Sequence, residues 1–323
     1  MKVLFINFLK WDWSKYLEAL REEFPDVEFV EDTHKDSVHL ADSEVMVLYS
    51  LSQEQIAKAK ELKCVLIPYT GVNMFPLEAF KERGIIMGNS HGNGLVVAEH
   101  ALTMILALLH EMVYHHNELK RGFWHRSFTS KDWWTSINGM TCGILGTGGV
   151  GSHLARMLKA FDCTNIGFKR NPVNELPDFF DEVSTDLDDV VMRSDIIFLC
   201  LPGTEETRGM ITREHLEMMK GGYLVNVARG PIVAEEDLHW ALKEGVLAGA
   251  GLDVWYNYHR GREEPVFPSE LGIHELPNVV ISPHNSTHSG LAVKHDQEQT
   301  VKNLREYLKT GKPKNIVDLD LGY

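Results

Sequence analysis

Three residues in the second half of the chain, Arg229, Asp253 and His284, are of types that bind anions, accept hydrogen bonds and move protons, and each closes a short apolar run. An arginine can grip an oxyanion with two parallel hydrogen bonds. A histidine exchanges protons near neutrality because its ordinary pKa is about 6.5. Upstream, Gly146-Thr147-Gly148-Gly149-Val150-Gly151 is a G-x-G-x-x-G loop. Glycine at 146 permits a tight turn, at 148 a close approach of backbone to a pyrophosphate, and at 151 close packing of helix on strand, while Gly149 and Val150 offer N–H groups at a helix start. One strand later the chain reads Phe168-Lys169-Arg170, where an acidic residue would normally accept from a ribose 2′-hydroxyl. Two cations there suit a 2′-phosphate, with Arg170 bidentate and Lys169 as a point charge. Each feature also has a bland alternative: a ligand-free glycine turn, solvated loop cations, a surface ion pair for Arg229, a turn residue at His284, a cap at Asp253.

The elements that must position these residues are legible from periodicity. Residues 141–145 are small and apolar, and Val150, Leu154, Leu158 and Phe161 recur at helical spacing with Met157, so the glycine loop lies between a strand and an amphipathic helix. Before it, strands are expected at 3–8, 27–30, 45–49, 64–68 and 84–87, with helices at 14–24, 54–62 and 76–83. After it, strands are expected at 165–168, 196–200, 223–227, 248–254 and 279–282, with helices at 186–193, 212–220, 234–243 and 291–308. Such alternation implies parallel sheets whose ligands sit at the carboxyl ends of strands, which is where Arg229, Asp253 and His284 fall. The loop Tyr69-Thr70-Gly71-Val72-Asn73 ends another strand, and its N–H groups suit an anion. A single, unusually apolar helix is expected over 96–119, buried between domains or against another subunit. The aromatic residues Phe123, Trp124, Trp133 and Trp134 follow, as packing or dimer contacts.

The whole chain narrows the classes. At 323 residues it exceeds one ordinary core, so two domains are expected. A net charge of −14 argues against nucleic acid or an anionic membrane as partner, since both need a basic face. The cysteines, Cys64, Cys142, Cys163 and Cys200, form no C-x-x-C pair and read as buried reduced thiols of the cytoplasm, and no metal site is expected. The N-terminal apolar run lacks a cleavage site and reads as a first strand, and the apolar core at 101–109 is too short for a membrane span.

With these residues in place, the sequence resembles the D-isomer-specific 2-hydroxyacid dehydrogenases over nearly its whole length. The likeness is carried by Asn93-Gly94-Leu95-Val96-Val97-Ala98-Glu99-His100, the glycine loop, Leu224-Val225-Asn226-Val227-Ala228-Arg229-Gly230, Ala248-Gly249-Ala250-Gly251-Leu252-Asp253-Val254 and Ser282-Pro283-His284. The resemblance implies two doubly wound parallel-sheet α/β domains, with a Rossmann cofactor domain at 99–290 inserted into a flavodoxin-like substrate domain made of 1–98 and 291–323. It implies hydride transfer between NADPH, or NADH, and a small 2-keto or D-2-hydroxy acid such as glyoxylate or hydroxypyruvate; a homodimer is expected from the apolar 96–119 helix and the aromatic segment after it. Alternatives within that fold are a phosphite- or formate-type oxidiser, or a non-catalytic dinucleotide-sensing scaffold like a corepressor.

By the same resemblance, Arg229 holds the substrate carboxylate with help from N–H groups at Gly71 and Val72, and His284 is the acid in reduction and the base in oxidation. Asp253 binds the nicotinamide carboxamide. Val227 and Ala228 line its pocket, and Leu201, Pro202 and Thr207 complete the cofactor side. The chain departs from the family at Lys169-Arg170 and at the acidic partner of the histidine, for which a Glu-Pro is usual about 29 residues past the arginine. That spacing falls on Tyr258, whereas Glu263-Glu264-Pro265 comes later. Glu264 is the expected partner if an insertion carries it back; Glu263, or no carboxylate with aromatics shaping the pocket, is the alternative.

Overall fold

The computed structural model describes residues 1–7, 9, 11–72, 74–125, 133–259 and 264–323. They form two compact units, Met1–Asn93 with His288–Tyr323, and Gly94–Thr287. In the first unit the apolar runs become β1 (Lys2–Ile6), β2 (Glu28–Asp32), β3 (Val45–Val47), β4 (Cys64–Ile67) and β5 (Ile86–Asn89), all parallel, in the order β2-β1-β3-β4-β5. This is the flavodoxin-like order, with its switch point between β1 and β3. Successive side chains point to opposite faces, so Val3, Val45 and Leu66 pack under α1 (Ser14–Glu23), and Leu4, Met46 and Val65 pack under α2 (Gln53–Lys58) and α3 (Leu77–Arg83). Burial on both faces is why these strands read as continuous apolar runs. At the start of α2, Ser52 Oγ accepts from Gln55 N while Gln55 Oε1 accepts from Ser52 N, a reciprocal cap. The strand expected at 84–87 begins later because Gly84, at φ 63, closes α3 in the left-handed region.

The second unit opens with α4 (Gly94–Leu109) and α5 (Met112–Lys120), where one continuous helix was expected. The break is at Glu111, whose φ of 49 turns the chain so that the two helices differ in direction by 62°. Apolar spacing continues across a break of this kind, so periodicity alone does not report it. The sheet then follows as β6 (Thr141–Leu145), α6 (Gly149–Lys159), β7 (Thr164–Phe168), β8 (Glu182–Ser184), α7 (Leu187–Met192), β9 (Ile196–Leu199), α8 (Arg213–Met218), β10 (Tyr223–Asn226), α9 (Glu235–Lys243), β11 (Gly249–Leu252) and β12 (Val279–Ile281). The strands lie parallel in the order β12-β11-β10-β9-β6-β7-β8, so the switch point falls between β6 and β9. The sequence did not signal β8, three half-buried residues at the sheet edge with too few positions to show alternation. One face packs Leu154 and Leu158 of α6 with Ala101, Met104 and Ile105 of α4; the other carries Val190, Leu216 and Leu238 from α7, α8 and α9.

The chain returns to the first unit with α10 (Gly290–Thr310), which starts where Ser289 Oγ accepts from Leu291 N and ends at Gly311, φ 79. It buries Val301 and Leu304 under the first sheet and ties down the segment by which the chain leaves that unit. Asn303 Nδ2 donates to Asn89 O (2.8 Å), His91 N donates to Gln299 Oε1 (2.7 Å) and Ser90 Oγ donates to Asp296 Oδ1 (3.0 Å). All four cysteines are free thiols; Cys64, Cys142 and Cys163 are buried and Cys200 is half-buried. Among the described residues no single helix is long and apolar enough to cross a membrane.

Asp296 is the buried titratable group of this segment. Burial pushes its carboxyl up to about 7, outweighing the Ser90 hydroxyl and the Gly92 and Asn93 N–H groups that favour the ionised form. A folded-state pKa above the ordinary 3.8 means that the native protein holds a proton the unfolded chain releases, so stability contributed by this group is full below pH 3.8 and is lost as pH rises towards 7. Asp296→Asn removes this titration. The difference in urea-unfolding free energy between pH 5 and pH 8 should therefore be smaller in the variant than in the parent, and an unchanged difference would show that Asp296 does not titrate in that window.

Candidate active site

The loop between β6 and α6 sits at the switch point. Gly146 has a φ of 105, and a Cβ there would lie 2.7 Å from the carbonyl oxygen of Cys200, in the loop after β9. A Cβ on Gly151 would lie 2.0 Å from Gly146 O, so the helix start is pressed onto the turn and only glycine fits. Cβ positions at Gly148 and Gly149 meet nothing within 4 Å, leaving open space above the loop. Gly148, the residue that caps α6, supplies no side-chain hydrogen bond, so the first N–H groups of the helix stay available to an anion. Ser152 Oγ donates to Thr147 O (3.0 Å) and fixes the loop shape. This is a built cradle for a phosphate-bearing ligand, and its residues fit a dinucleotide.

On either side of the cradle the loops after β7 and β9 meet. Lys169 and Arg170 are exposed beyond β7, and Arg170 makes an ion pair with Glu206 from the loop after β9. That loop is shaped by Thr207, whose Oγ1 donates to Pro202 O (2.8 Å) and accepts from Thr204 N (2.9 Å). Thr207 thus sets the course of the chain past Leu201 and Pro202, both of which lie beside the switch point.

Arg229, Asp253 and His284 follow β10, β11 and β12, three neighbouring parallel strands, so their carboxyl ends stand side by side. Asn226 sets the first of these turns: its Oδ1 accepts from Ala228 N (3.0 Å) and its Nδ2 donates to Arg229 O (2.9 Å). Val227 and Ala228 are buried there, and Arg229 Nη1 donates to Ala228 O (2.7 Å). Burial pulls the Arg229 guanidinium below the usual arginine range, with Tyr258 acting in the opposite direction. It remains a cation, and one with less water around it than a surface arginine has.

Asp253 is fully buried, with 0% of its surface exposed. Its Oδ1 accepts from Ser282 Oγ (2.6 Å) and Asn285 N (3.0 Å), and its Oδ2 accepts from Ser286 N (3.2 Å). The Ser282 hydroxyl also meets His100 Nε2 at 3.0 Å and Asn285 Oδ1 at 2.7 Å. Trp255 Nε1 donates to Ser282 O (2.8 Å), closing the grip on the loop after β12. Within that grip His284 is exposed and has a φ of 57, a left-handed conformation that non-glycine residues seldom adopt without external support. Asp253 was expected to face the nicotinamide carboxamide. Its carboxyl oxygens accept from the histidine loop, because an enclosed carboxyl needs hydrogen-bond donors and this loop supplies three.

In the first unit, the loop after β4 holds Gly71 and the buried Val72. Thr70 Oγ1 donates to Ser90 O (2.9 Å) and Asn89 Nδ2 donates to Thr70 O (2.8 Å), which locks the loop against the end of β5. Among the described residues, neither Gly71 N nor Val72 N donates a backbone hydrogen bond.

The structure therefore brings Arg229, Asp253 and His284 to one edge of one sheet and the glycines to its switch point, and it leaves Glu264 exposed on the loop beyond β11. Glu263 lies outside the described residues. The residue whose ring lies against His284 is Tyr258, at a centroid separation of 5.4 Å. Ser282, Asn285, Trp255 and His100 were assigned no role from the sequence, since each acts on another residue and no spacing marks that.

Comparison with known proteins agrees with this architecture. The family described as D-isomer specific 2-hydroxyacid dehydrogenase, NAD binding domain, matches residues 102–286. A glycerate dehydrogenase from Methylorubrum extorquens is 32% identical over 270 residues, covering 82% of each chain. A glyoxylate reductase from Thermococcus litoralis is 31% identical, covering 85% of this chain and 83% of its own. Among solved structures, the NADPH-dependent glyoxylate/hydroxypyruvate reductase of Sinorhizobium meliloti in complex with citrate superposes with a TM-score of 0.77 at 25% identity, over 98% of both chains. The chain belongs to the D-isomer-specific 2-hydroxyacid dehydrogenase family and is an NAD(P)-dependent oxidoreductase.

Proposed function

We propose that this enzyme reduces a small 2-keto acid such as glyoxylate or hydroxypyruvate to the D-2-hydroxy acid, with NADPH preferred over NADH. The observation that carries the reading is the set of three groups on adjacent strand ends: a desolvated cation, a histidine held in a strained conformation, and the buried carboxyl that holds it. The relatives named above, a glyoxylate reductase and a glycerate dehydrogenase, support the substrate class.

Each group has a task in that reaction. Arg229 holds the substrate carboxylate, and its partial desolvation strengthens the contact because less water competes for the guanidinium. The N–H groups of Gly71 and Val72, which donate no backbone hydrogen bond among the described residues, also suit an anion. His284 gives a proton to the carbonyl oxygen in reduction and takes it back in oxidation. Asp253, through Asn285 and Ser286, keeps the imidazole from swinging away. Val227 and Ala228 wall the nicotinamide side, and the N–H groups at the start of α6 hold the pyrophosphate. When bound, the nicotinamide supplies the hydride. Lys169 and Arg170 supply the charge for a 2′-phosphate, and no carboxylate on their own strand repels it.

The same unit supports a homodimer. None of the residues of α5 is buried, and Met112, Val113, Trp124, Trp133 and Trp134 are each at least half exposed, more apolar surface than a monomer normally leaves to water. We expect dimer mass by light scattering at micromolar concentration, and a monomer mass would remove the proposal.

A screen following NADPH absorbance across glyoxylate, hydroxypyruvate, pyruvate, bulkier keto acids, formate and phosphite tests the substrate class. With the best keto acid, Arg229→Ala should raise KM and lower kcat, whereas His284→Ala should lower kcat by about 100-fold or more and leave cofactor affinity nearly intact. Near-parental turnover in either variant would remove that residue's role.

Cofactor choice has its own test. Arg170 already shares an ion pair with Glu206, and both side chains are about half exposed or more, so the gain from a 2′-phosphate should be modest, about tenfold in kcat/KM. Replacing Lys169 with Asp and Arg170 with Ala should abolish the NADPH advantage, and Glu206→Gln should enlarge it. A parent enzyme that prefers NADH would show that these cations serve solvent and Glu206 rather than the cofactor.

A further inference from the structure

Tyr258 stands 29 residues after Arg229, where the family pattern leads one to expect a carboxylate beside the histidine. Its ring lies 5.4 Å from the His284 ring at an interplanar angle of 54°, a contact between tilted faces. Its hydroxyl is fixed from behind, accepting from Trp255 N at 3.1 Å. Trp255 is itself 4% exposed, and its indole N–H donates to Ser282 O in the histidine loop. The Trp255 backbone also supports the other reacting edge, since a Cβ on Gly230, the residue after Arg229, would lie 2.4 Å from Trp255 O. One short segment after β11 therefore backs both the arginine turn and the histidine loop, and Tyr258 is the part of it that touches the imidazole.

We infer that Tyr258 is a positioning residue for His284, a neutral aromatic support in the place where a carboxylate is usual. This rests on the keto-acid reductase reading, for which His284 is the proton donor. The ring restricts the imidazole by contact, and the phenol adds no negative charge. Burial pushes the Tyr258 hydroxyl above its ordinary range, so it stays protonated across the working pH despite the nearby Arg229. Among the described residues, the charged and titratable groups around the histidine loop include Arg229 after β10, Asp253 after β11, and His100 of α4 across Ser282. A carboxylate placed at 258 would add to this set an anion that favours the protonated imidazole.

The test compares Tyr258→Phe, Tyr258→Ala and Tyr258→Glu in the full-length enzyme. Reduction rates are measured against pH with saturating cofactor, and the His284 ring is followed by NMR titration, assigned with His284→Gln. We expect Tyr258→Phe to keep kcat within about threefold of the parent and Tyr258→Ala to lose roughly 10- to 100-fold in kcat with little change in cofactor KM. Tyr258→Glu should move the alkaline limb of the reduction profile and the His284 titration upward by about one unit or more. Parental kcat in Tyr258→Ala, or a His284 titration unmoved by Tyr258→Glu, would overturn the inference. If Tyr258→Ala does not fold, as judged by its melting temperature and cofactor binding, the contrast between Phe and Glu decides. If the parent reduces no keto acid, the functional reading fails separately, and the NMR titration, which needs no substrate, still decides the role of Tyr258.

Discussion

The active edge depends on a carboxyl group that has no access to water. Asp253 is enclosed at the end of β11, and a polar group so placed is costly unless its oxygens are hydrogen-bonded. The donors come from the next strand's loop: the Ser282 hydroxyl and the N–H groups of Asn285 and Ser286. To deliver both N–H groups the chain must turn sharply, and the residue at the turn, His284, takes the left-handed conformation. A hydroxyl has one proton to give, so with that proton on Asp253 the remaining contacts of Ser282 are best met by groups that donate to it. His100 Nε2, 3.0 Å away, can do so, while Asn285 Oδ1, at 2.7 Å, is a second acceptor for the same proton. The network thus ties the loop after β12 to both β11 and α4.

A second constraint, made only of backbone, acts at the switch point. The glycine loop is tight because Gly146 lies on the carbonyl of Cys200 and Gly151 lies on Gly146. Gly94, the first residue of α4, approaches the same loop, since a Cβ there would lie 3.0 Å from the carbonyl carbon of Gly149. The consequence is functional. Gly148 at the cap brings no side chain to the helix start, so its N–H groups remain for a ligand. Affinity for phosphate and precision of packing come from the same absence of side chains.

Most of the architecture could be read before the structure because buried parallel strands announce themselves as uninterrupted apolar runs. β4, β6, β9 and β10 fall within a residue of where the sequence put them, and β1 within two. Elements whose signal is short or continuous were less legible: β8 has three residues, and the break at Glu111 leaves apolar spacing intact on both sides. At the site, Arg229, Asp253, His284 and the glycines are visible by type and place. Their partners are not, because Ser282, Asn285 and Trp255 act through geometry that one-dimensional spacing does not encode. Tyr258 is instructive here. Counting from Arg229 leads to it, yet the search for a carboxylate directed attention to Glu264, which is exposed.

An acidic protein that handles anions must separate its global charge from its local field. With a formal net charge of −14, the surface as a whole repels a keto acid and a dinucleotide alike. Salt screens surface charge beyond about 10 Å at 0.1 M, so what a bound ligand feels is set by its immediate neighbours. Those neighbours differ in kind. Lys169 and Arg170 are exposed, and Glu206 already occupies Arg170, so their effect is diluted by water and by that ion pair. Arg229 is half-buried behind Ala228 and Tyr258, and the N–H groups of α6 are fixed by the fold. The strongest anion contacts thus come from groups that folding has already removed from water and aimed, and they gain most from the low local dielectric. On the proposed function the substrate carboxylate would fall to Arg229 and the pyrophosphate to α6, while a 2′-phosphate would meet the weaker, exposed pair. On that reading, selection between cofactors is the least rigid part of this site, and orientation of the keto acid the most rigid.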